Sequence, residues 1–242
     1  MALDLGGKTA VVTGSSKGIG YFIAEALARA GANVVITARK AAEVEEAARA
    51  LNELGGGRVV GVPSDVREYE DVRRIISTAV NELGGLDILV NNAGVGRFAP
   101  IDEITVEQWH QMIDTNLTGA FYCAREAVPH LRARGGGWII NIGSLAGKNP
   151  IQGGTAYNAS KFGLLGFSEA MMLDVREDGI RVTCIMPGSV DTWFNGKKPS
   201  PENAWMIQPR DLARIVMDLL AMPANVLPSR IEVRPAKRQA PG

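Results

Sequence analysis

Tyr157 and Lys161 place a phenol and an ammonium four residues apart in the stretch YNASK. On a helix this spacing puts both side chains on one face, a single turn apart. Because a nearby ammonium stabilises a phenolate, the two could work as an acid and the cation that tunes it. The pentapeptide taken alone favours a simpler interpretation, that two amphipathic side chains share a partly exposed helix face.

A second candidate is the glycine-rich stretch TGSSKGIG at residues 13–20, which follows an apolar run and opens a helical pattern. Glycines allow a tight turn there, and the free N–H groups of a helix amino end favour a phosphate. The spacing GxxxGxG differs from the commoner GxGxxG, but the predicted strand–turn–helix context is the one a dinucleotide site requires. We therefore expect a dinucleotide cofactor.

The end of the second predicted strand bears on which cofactor is bound. An NAD site needs a carboxylate there for the ribose 2′-hydroxyl, whereas this chain has Ala38 followed by Arg39 and Lys40. Arg39 could bind a 2′-phosphate through a charge-assisted pair, and Lys17 adds a second cation. No acidic residue is evident in this stretch. The alternative is a solvated basic corner; the sequence favours NADP(H) over NAD(H).

The elements that must position these residues alternate along the chain. Seven short apolar runs predict buried parallel strands, beginning at Lys8, Asn33, Arg58, Leu86, Trp138, Arg181 and Arg230. Helical patterns lie between them at 19–30, 41–54, 69–83, 155–177 and 210–220, with a long helix from Thr105 that starts with a Thr105–Gln108 capping box. The pattern predicts a single α/β domain over residues 1–242: a doubly wound Rossmann sheet of about seven strands with helices on both faces.

Composition narrows the class of protein. The 242 residues carry 26 basic and 26 acidic side chains, so net charge gives no reason to expect nucleic acid or an anionic membrane as partner. No apolar run reaches the roughly 18 residues of a membrane span, and the amino end lacks a signal-peptide pattern. Cys123 and Cys184 stand in apolar runs, which is typical of free buried thiols in a reducing compartment. We expect a cytoplasmic protein.

Six motifs in order resemble the short-chain dehydrogenase/reductase superfamily. TGSSKGIG is similar to the family's TGxxxGIG, and NNAG (91–94) follows the fourth predicted strand. DTNLTG contributes Asn116, NIGS contributes Ser144, and YNASK matches YxxxK. MPGSVDT, after the sixth predicted strand, resembles the family's PG motif with a downstream threonine, here Thr192. The resemblance extends over nearly the whole chain.

The resemblance implies roles for the matching residues. A catalytic tetrad would consist of Asn116, Ser144, Tyr157 and Lys161. The cofactor would be held by Gly14, Ser16, Lys17, Gly18, Ile19, Gly20, Arg39, Asp65, Val66, Asn92, Ala93, Gly94, Tyr157, Lys161, Pro187, Gly188, Val190 and Thr192. Of these, Asp65 and Val66 would lie beside the adenine, and the last four residues would surround the nicotinamide.

In such a site the protein positions the cofactor and manages one proton and one oxyanion. Tyr157 would be the general acid, and moving its pKa from about 10 to about 7 requires roughly 4 kcal/mol of phenolate stabilisation, part of it from Lys161. Ser144 would stabilise charge on the carbonyl oxygen. For Asn116 two interpretations stay open: the family role of holding a water near Lys161, or a mid-helix side chain bonded to its local backbone.

Competing chemistries lack the residues they need. The two histidines, His110 and His130, have no metal-ligand spacing, so no metal is expected. Ser144 lies in IGSLAG, which does not match the GxSxG elbow of a hydrolase.

The segment at about 189–208 is predicted to form a short lid over the substrate. An apolar pocket is expected from Val95, Phe98, Leu145, Trp193, Phe194 and Trp205, although ordinary packing or a subunit contact would also explain the aromatic residues. The helix from Thr155 is apolar on more than one face, which indicates a subunit interface. The resemblance implies that the assembly is a homodimer or homotetramer.

These features predict an NADP(H)-dependent oxidoreductase that acts on a ketone or secondary alcohol. The nearest general resemblance is to bacterial 3-oxoacyl-carrier-protein reductases. Two departures leave other carbonyl substrates open: the chain lacks their DGG ending, and Glu177 and Asp178 stand where a basic docking surface is expected. A catalytically silent cofactor-binding regulator and a non-redox epimerase or isomerase are the alternative functions.

Overall fold

All seven predicted strands form and lie parallel in one sheet. The computed structural model describes residues 3–237. The strands are β1 (Thr9–Thr13), β2 (Asn33–Ala38), β3 (Val59–Pro63), β4 (Ile88–Asn91), β5 (Gly137–Ile142), β6 (Ile180–Pro187) and β7 (Arg230–Val233). Their order across the sheet is β3-β2-β1-β4-β5-β6-β7. The prediction of a doubly wound Rossmann sheet is confirmed; of the domain predicted over 1–242, residues 1–2 and 238–242 lie outside the described part.

Helices cover both faces of the sheet. They are α1 (Gly18–Arg29), α2 (Ala41–Glu53), α3 (Tyr69–Leu83), α4 (Val106–Ile113), α5 (Gly119–Ala133), α6 (Thr155–Val175) and α7 (Pro209–Leu220). One core contains buried side chains of α1, α2 and α7, and the other contains those of α3, α5 and α6. Neighbouring strand residues such as Val11 and Val12 point into opposite cores, which explains why the strands are apolar throughout.

The long helix predicted from Thr105 is interrupted. Its capping box forms as predicted: the Thr105 hydroxyl accepts from the Gln108 amide, and the Gln108 side chain accepts from the Thr105 amide. After α4 the chain makes a π-helical turn, Asp114–Thr118, before α5 continues. Asn116 lies in that turn, and π-turns of this kind are frequent at functional sites.

The sheet reverses its strand order between β1 and β4. From β1 the chain moves outward through β2 and β3, then returns to β4 on the other side of β1. Such a reversal opens a crevice at the carboxyl ends of the two strands. The glycine-rich turn follows β1 and residues 92–94 follow β4, so both border this crevice.

Backbone hydrogen bonds join the two ends of the predicted lid segment. Val190 and Ile207 form a parallel bridge, in which Asp191 N donates to Ile207 O (3.0 Å) and Ile207 N donates to Ser189 O (3.1 Å). The buried Asp191 carboxylate accepts from the Asn203 amide group at 2.8 Å. Two short 3₁₀ turns, Phe194–Gly196 and Pro201–Asn203, lie between these ties.

The described helices differ from membrane-spanning segments. None within residues 3–237 combines the length and apolar character needed to cross a membrane.

Candidate active site

The loop after β4 locks the glycine-rich turn in place. The Asn92 side-chain amide donates to the carbonyl oxygens of Thr13 (2.8 Å) and Gly14 (2.9 Å). The Thr13 hydroxyl accepts from the backbone amides of Asn92 and Ala93, both at 3.0 Å. A Cβ on Gly14 would lie 2.8 Å from Cα of Ala93, and the φ of Gly14 is +63°. Glycine is therefore required at position 14, both for the backbone conformation and for the close approach of the two loops.

A cavity of ≈ 590 Å³ opens at this crevice. Most of the predicted site residues line it: Gly14, Lys17, Gly18, Ile19, Asn92, Ala93, Gly94, Phe98, Ser144, Leu145, Tyr157, Lys161, Pro187, Gly188, Val190, Thr192, Trp193 and Phe194. Residues from the turn after β1, the loops after β4, β5 and β6, and helix α6 thus surround one space. The arrangement has the form expected of a ligand pocket at a topological switch point.

Other predicted residues lie outside the cavity wall: Ser16, Gly20, Arg39, Asp65, Val66, Val95, Asn116 and Trp205. Val66 is buried and packs on Gly119 at the start of α5. The Asp65 carboxylate is held by Arg67, which lowers the pKa of Asp65 through its side-chain hydrogen bonds. Ile151 lines the cavity but was not among the predicted residues, since nothing in its local pattern separates it from an ordinary loop residue.

Tyr157 lies between two aromatic rings. Its ring centroid is 5.3 Å from that of Phe98 and 5.7 Å from that of Phe194, and the side chain is buried. Burial raises the pKa of the phenol, and hydrogen bonding with the Ser144 hydroxyl acts in the opposite direction. The sequence predicts a lowered pKa instead. The pKa is raised overall because the loss of water destabilises the phenolate more than the hydrogen bond from Ser144 stabilises it.

Lys161 lies one helical turn beyond Tyr157 and is also buried. Its Nζ donates to the carbonyl oxygen of Ile142 at 2.9 Å, and burial lowers its pKa to about 8. A Cβ on Gly94 would stand 3.7 Å from that Nζ. Gly94 and Lys161 thus lie next to each other in the cavity wall. The interpretation of Tyr157 and Lys161 as partly exposed surface side chains is wrong, because both are buried at the cavity wall.

Asn116 joins two elements instead of bonding to its local backbone. Its side chain accepts from Val95 N (2.8 Å) and donates to Val95 O (2.9 Å) and to Ser160 Oγ (2.9 Å). The π-turn presents this amide to the loop after β4 on one side and to α6 on the other. Local back-bonding, one of the two interpretations left open by the sequence, is not what the side chain does.

Comparison with known proteins adds a family to this geometry. The family model described as short chain dehydrogenase matches residues 8–203. The chain belongs to the short-chain dehydrogenase/reductase superfamily.

Members of this superfamily match along nearly the whole chain. An uncharacterized oxidoreductase of Staphylococcus aureus (strain USA300) is 35% identical over 228 residues, covering 94% of this chain and 97% of the relative. Among solved structures, an alcohol dehydrogenase from the archaeon Thermococcus sibiricus, complexed with 5-hydroxy-NADP, superposes with a TM-score of 0.89 at 30% identity. It covers 97% of this chain and 99% of that one. L-Sorbose reductase from Gluconobacter frateurii, complexed with NADPH and L-sorbose, gives 0.87 at 35% identity, with 97% and 98% covered.

This short-chain dehydrogenase/reductase carries an acid beside the predicted 2′-phosphate cations. Glu43, in the first turn of α2, accepts from Lys40 Nζ at 2.8 Å and pairs with Lys17 Nζ at 3.4 Å. The hydrogen bond from Lys40 is the main reason that the pKa of Glu43 is lowered. The expectation that no acidic residue borders this corner is therefore wrong. Glu43 was missed because it follows the strand by a full helical turn and reaches back through a side chain.

Residues 3–237 contain no cluster of three or more His, Cys, Asp or Glu side chains that could bind a metal ion.

Proposed function

We propose that this protein transfers a hydride between NADP(H) and the carbon of a ketone or secondary alcohol, with Tyr157 as the proton donor and acceptor. The observation that carries the proposal is the meeting of Tyr157, Lys161 and Ser144 in the same cavity as the glycine-rich turn. The superfamily is one of oxidoreductases, and solved relatives bound to NADP-type cofactors support the choice of cofactor.

The residues that border the glycine-rich turn fit a dinucleotide. The φ of Gly18 is +63°, a backbone conformation that favours glycine, and a Cβ built there would lie 3.7 Å from Thr192, so the turn and Thr192 are neighbours in the cavity wall. The amino end of α1 directs its free N–H groups towards the same space, which favours a pyrophosphate. Lys17 and Arg39 would hold the 2′-phosphate, while Thr192, Val190 and Gly188 would border the nicotinamide. The bound cofactor supplies or accepts the hydride.

The chain's own side chains then manage the proton. In reduction the Tyr157 hydroxyl gives its proton to the carbonyl oxygen, and in oxidation the phenolate removes it from the alcohol. Lys161 stabilises the phenolate from one turn away, and its lowered pKa lets the ammonium exchange a proton near neutral pH. Ser144 Oγ accepts from Ala146 N at 3.1 Å, which orients the hydroxyl. Its proton, which stabilises the Tyr157 phenolate, would turn to the substrate oxygen when a substrate is bound.

The substrate end of the cavity is apolar. Six large apolar side chains line it: Phe98, Leu145, Ile151, Trp193, Phe194 and Met206. A small to medium, largely apolar ketone or a 3-oxoacyl ester would bury its surface against these walls, with residues 189–208 acting as the lid.

Exposed apolar side chains support self-association. Phe121 on α5 is 42% exposed, and Phe162 and Leu173 on α6 are 44% and 63% exposed. Burying such a face on a second copy would give the homodimer or homotetramer that we propose. Both cysteines are free buried thiols, which is consistent with a cytoplasmic location.

The test is a panel of ketones and alcohols, assayed with NADPH and NADP⁺ by absorbance of the reduced nicotinamide. Tyr157→Phe should reduce kcat by roughly 10²–10⁴-fold while cofactor binding is retained. A Tyr157→Phe protein with full activity would remove the mechanism. Tight cofactor binding without turnover would favour the silent regulator, and product formed without net cofactor consumption would favour an epimerase.

A further inference from the structure

The Glu43 carboxylate is the centre of a small charged cluster. Lys40 Nζ lies 2.8 Å from Oε1, and Lys17 Nζ lies 3.4 Å from Oε2. Ser16 Oγ is 3.5 Å from the same Oε2. Two of these partners stand in the glycine-rich turn and one in the loop between β2 and α2, so Glu43 bridges the two segments that flank the corner beside Arg39.

The same groups would serve the 2′-phosphate in the proposed function. Lys17 and the exposed Arg39 are the cations expected to hold the 2′-phosphate, and Ser16 is among the residues that the resemblance assigns to the cofactor. Two of the three are engaged by a carboxylate that belongs to the chain. The lowered pKa of Glu43 keeps that carboxylate charged at neutral pH.

We propose that Glu43 is a specificity-determining residue that competes with the 2′-phosphate for Lys17 and Ser16, and so narrows the preference for NADP(H) over NAD(H). This inference rests on the proposed function, because it needs the 2′-phosphate to bind at this corner.

The opposing effects on the two cofactors follow from charge. A 2′-phosphate must draw Lys17 away from Glu43 and then lie close to a like charge, which weakens its binding. A ribose 2′-hydroxyl carries no charge and can donate to the carboxylate while the lysine pairs stay intact. The Lys17 and Glu43 side chains are 51% and 34% exposed, so their pair is weak enough for a phosphate to displace. Glu43 therefore reduces the discrimination without abolishing it.

Binding of adenosine fragments tests this apart from catalysis. Titrations would measure Kd for 2′,5′-ADP and for 5′-AMP, then for NADPH and NADH, with the wild type and Glu43→Gln. Glutamine keeps the size of the side chain and removes its charge. We expect 2′,5′-ADP and NADPH to bind about fivefold more tightly, 5′-AMP and NADH to bind equally or more weakly, and the effect to shrink in high salt.

Glu45→Gln is the matched control. It removes one negative charge from the same helix, but its exposed side chain lies two residues on and therefore points to a different side of α2. Its ratio of NADH to NADPH dissociation constants should stay at the wild-type value.

Two failures can be told apart. If NADPH and 2′,5′-ADP bind the wild type no better than NADH and 5′-AMP, and Arg39→Ala affects both classes equally, the proposed cofactor is wrong. If the wild type prefers the 2′-phosphate but Glu43→Gln leaves the ratio unchanged or lowers it, the competition by Glu43 is wrong while the proposed function stands.

Discussion

Phe194 packs directly over Gly96: a Cβ on Gly96 would clash with Cζ of the Phe194 ring. The same ring is 5.7 Å from the ring of Tyr157, measured between centroids. The absence of a side chain at Gly96 thus allows Phe194, in the predicted lid, to lie close to Tyr157, the predicted acid.

Replacing Gly96 by alanine should therefore move the lid without unfolding the protein. The added methyl group meets the far end of a side chain that can turn, so Phe194 shifts and the apolar wall is lost. We expect KM for an apolar ketone to rise about tenfold, the scale of one misplaced methylene in a pocket, with a smaller change in kcat. Steady-state kinetics on Gly96→Ala measure this.

Gly166→Ala is the control for that substitution. Apart from its chain neighbours and the backbone of its own helix, no heavy atom of the described residues lies within 4 Å of a Cβ built on Gly166, and the residue is in the interior of α6. Alanine there should stabilise the protein by about 0.5–1 kcal/mol and leave KM unchanged. An unaltered KM in Gly96→Ala would show that Phe194 does not border the substrate.

The burial of Lys161 predicts a pH-dependent stability. Its pKa is lowered from 10.5 to about 8 in the folded chain, so between these values the unfolded state binds a proton that the folded state does not. The free energy of unfolding contributed by this group therefore rises with pH across that window, and below about pH 8 the buried ammonium costs stability.

Lys161→Met exposes this contribution by difference. The variant should be more stable than the wild type at pH 7, by up to about 3 kcal/mol, and its advantage should decline as the pH rises from about 8 towards 10.5. Urea unfolding of both proteins at each pH gives the difference. An advantage that stayed constant with pH would contradict the lowered pKa.

The buried Asp87 carboxylate, which does not line the proposed active-site cavity, is expected to make the free energy of unfolding depend on pH. This buried carboxylate accepts from Thr9 N (2.9 Å), Lys8 Nζ (3.0 Å) and Arg134 Nε (3.1 Å). Burial alone would raise its pKa, but these three donors together lower it. The stabilisation is thus complete above the unfolded pKa, near 4, and is lost as the pH falls through the lower folded value.

Asp87→Asn should lower the free energy of unfolding at pH 7 by about 1–3 kcal/mol, because a buried network loses a charged acceptor. The difference from the wild type should begin to shrink below about pH 4, where the unfolded carboxyl gains a proton, and should shrink further as the pH falls through the lower folded pKa. Denaturant unfolding at pH 7 and pH 3.5 checks this, and an equal difference at both values would argue against the assigned contacts.

Removing the Arg39 side chain should change the preference between NADPH and NADH. Arg39→Ala should weaken NADPH binding by about tenfold and leave NADH binding nearly unchanged, because only the phosphorylated ribose offers an anion to the guanidinium. Fluorescence titration measures both. Arg49→Ala, which removes an exposed arginine from α2, should change neither constant.

The strands and most helices could be predicted because their signals are local. Alternating apolar runs and the Thr105–Gln108 capping box need only neighbouring residues, and both form as expected. The π-turn at Asn116 could not be predicted in this way, because it accompanies hydrogen bonds to Val95 and Ser160, which lie 21 and 44 residues away.

Other features of the site could not be predicted because they depend on where individual side chains extend. Glu43 enters the corner of Lys17 from the next helix, and Val66 turns into the core against Gly119, so neither position follows from its motif. The direction of the Tyr157 pKa also depends on burial between Phe98 and Phe194, which are 59 and 37 residues distant in sequence.

Because Val190 and Ile207 form a bridge, the segment between them can change in sequence and length while its two ends stay in place. Its two ends are already held side by side by backbone hydrogen bonds, so the sheet does not depend on what the segment contains. Doubling the length of such a loop costs only about 0.6 kcal/mol in closure entropy. The walls of the pocket can therefore diverge by replacement of this one segment, while the groups that would handle the proton stay on α6 and the strand ends, untouched by the change.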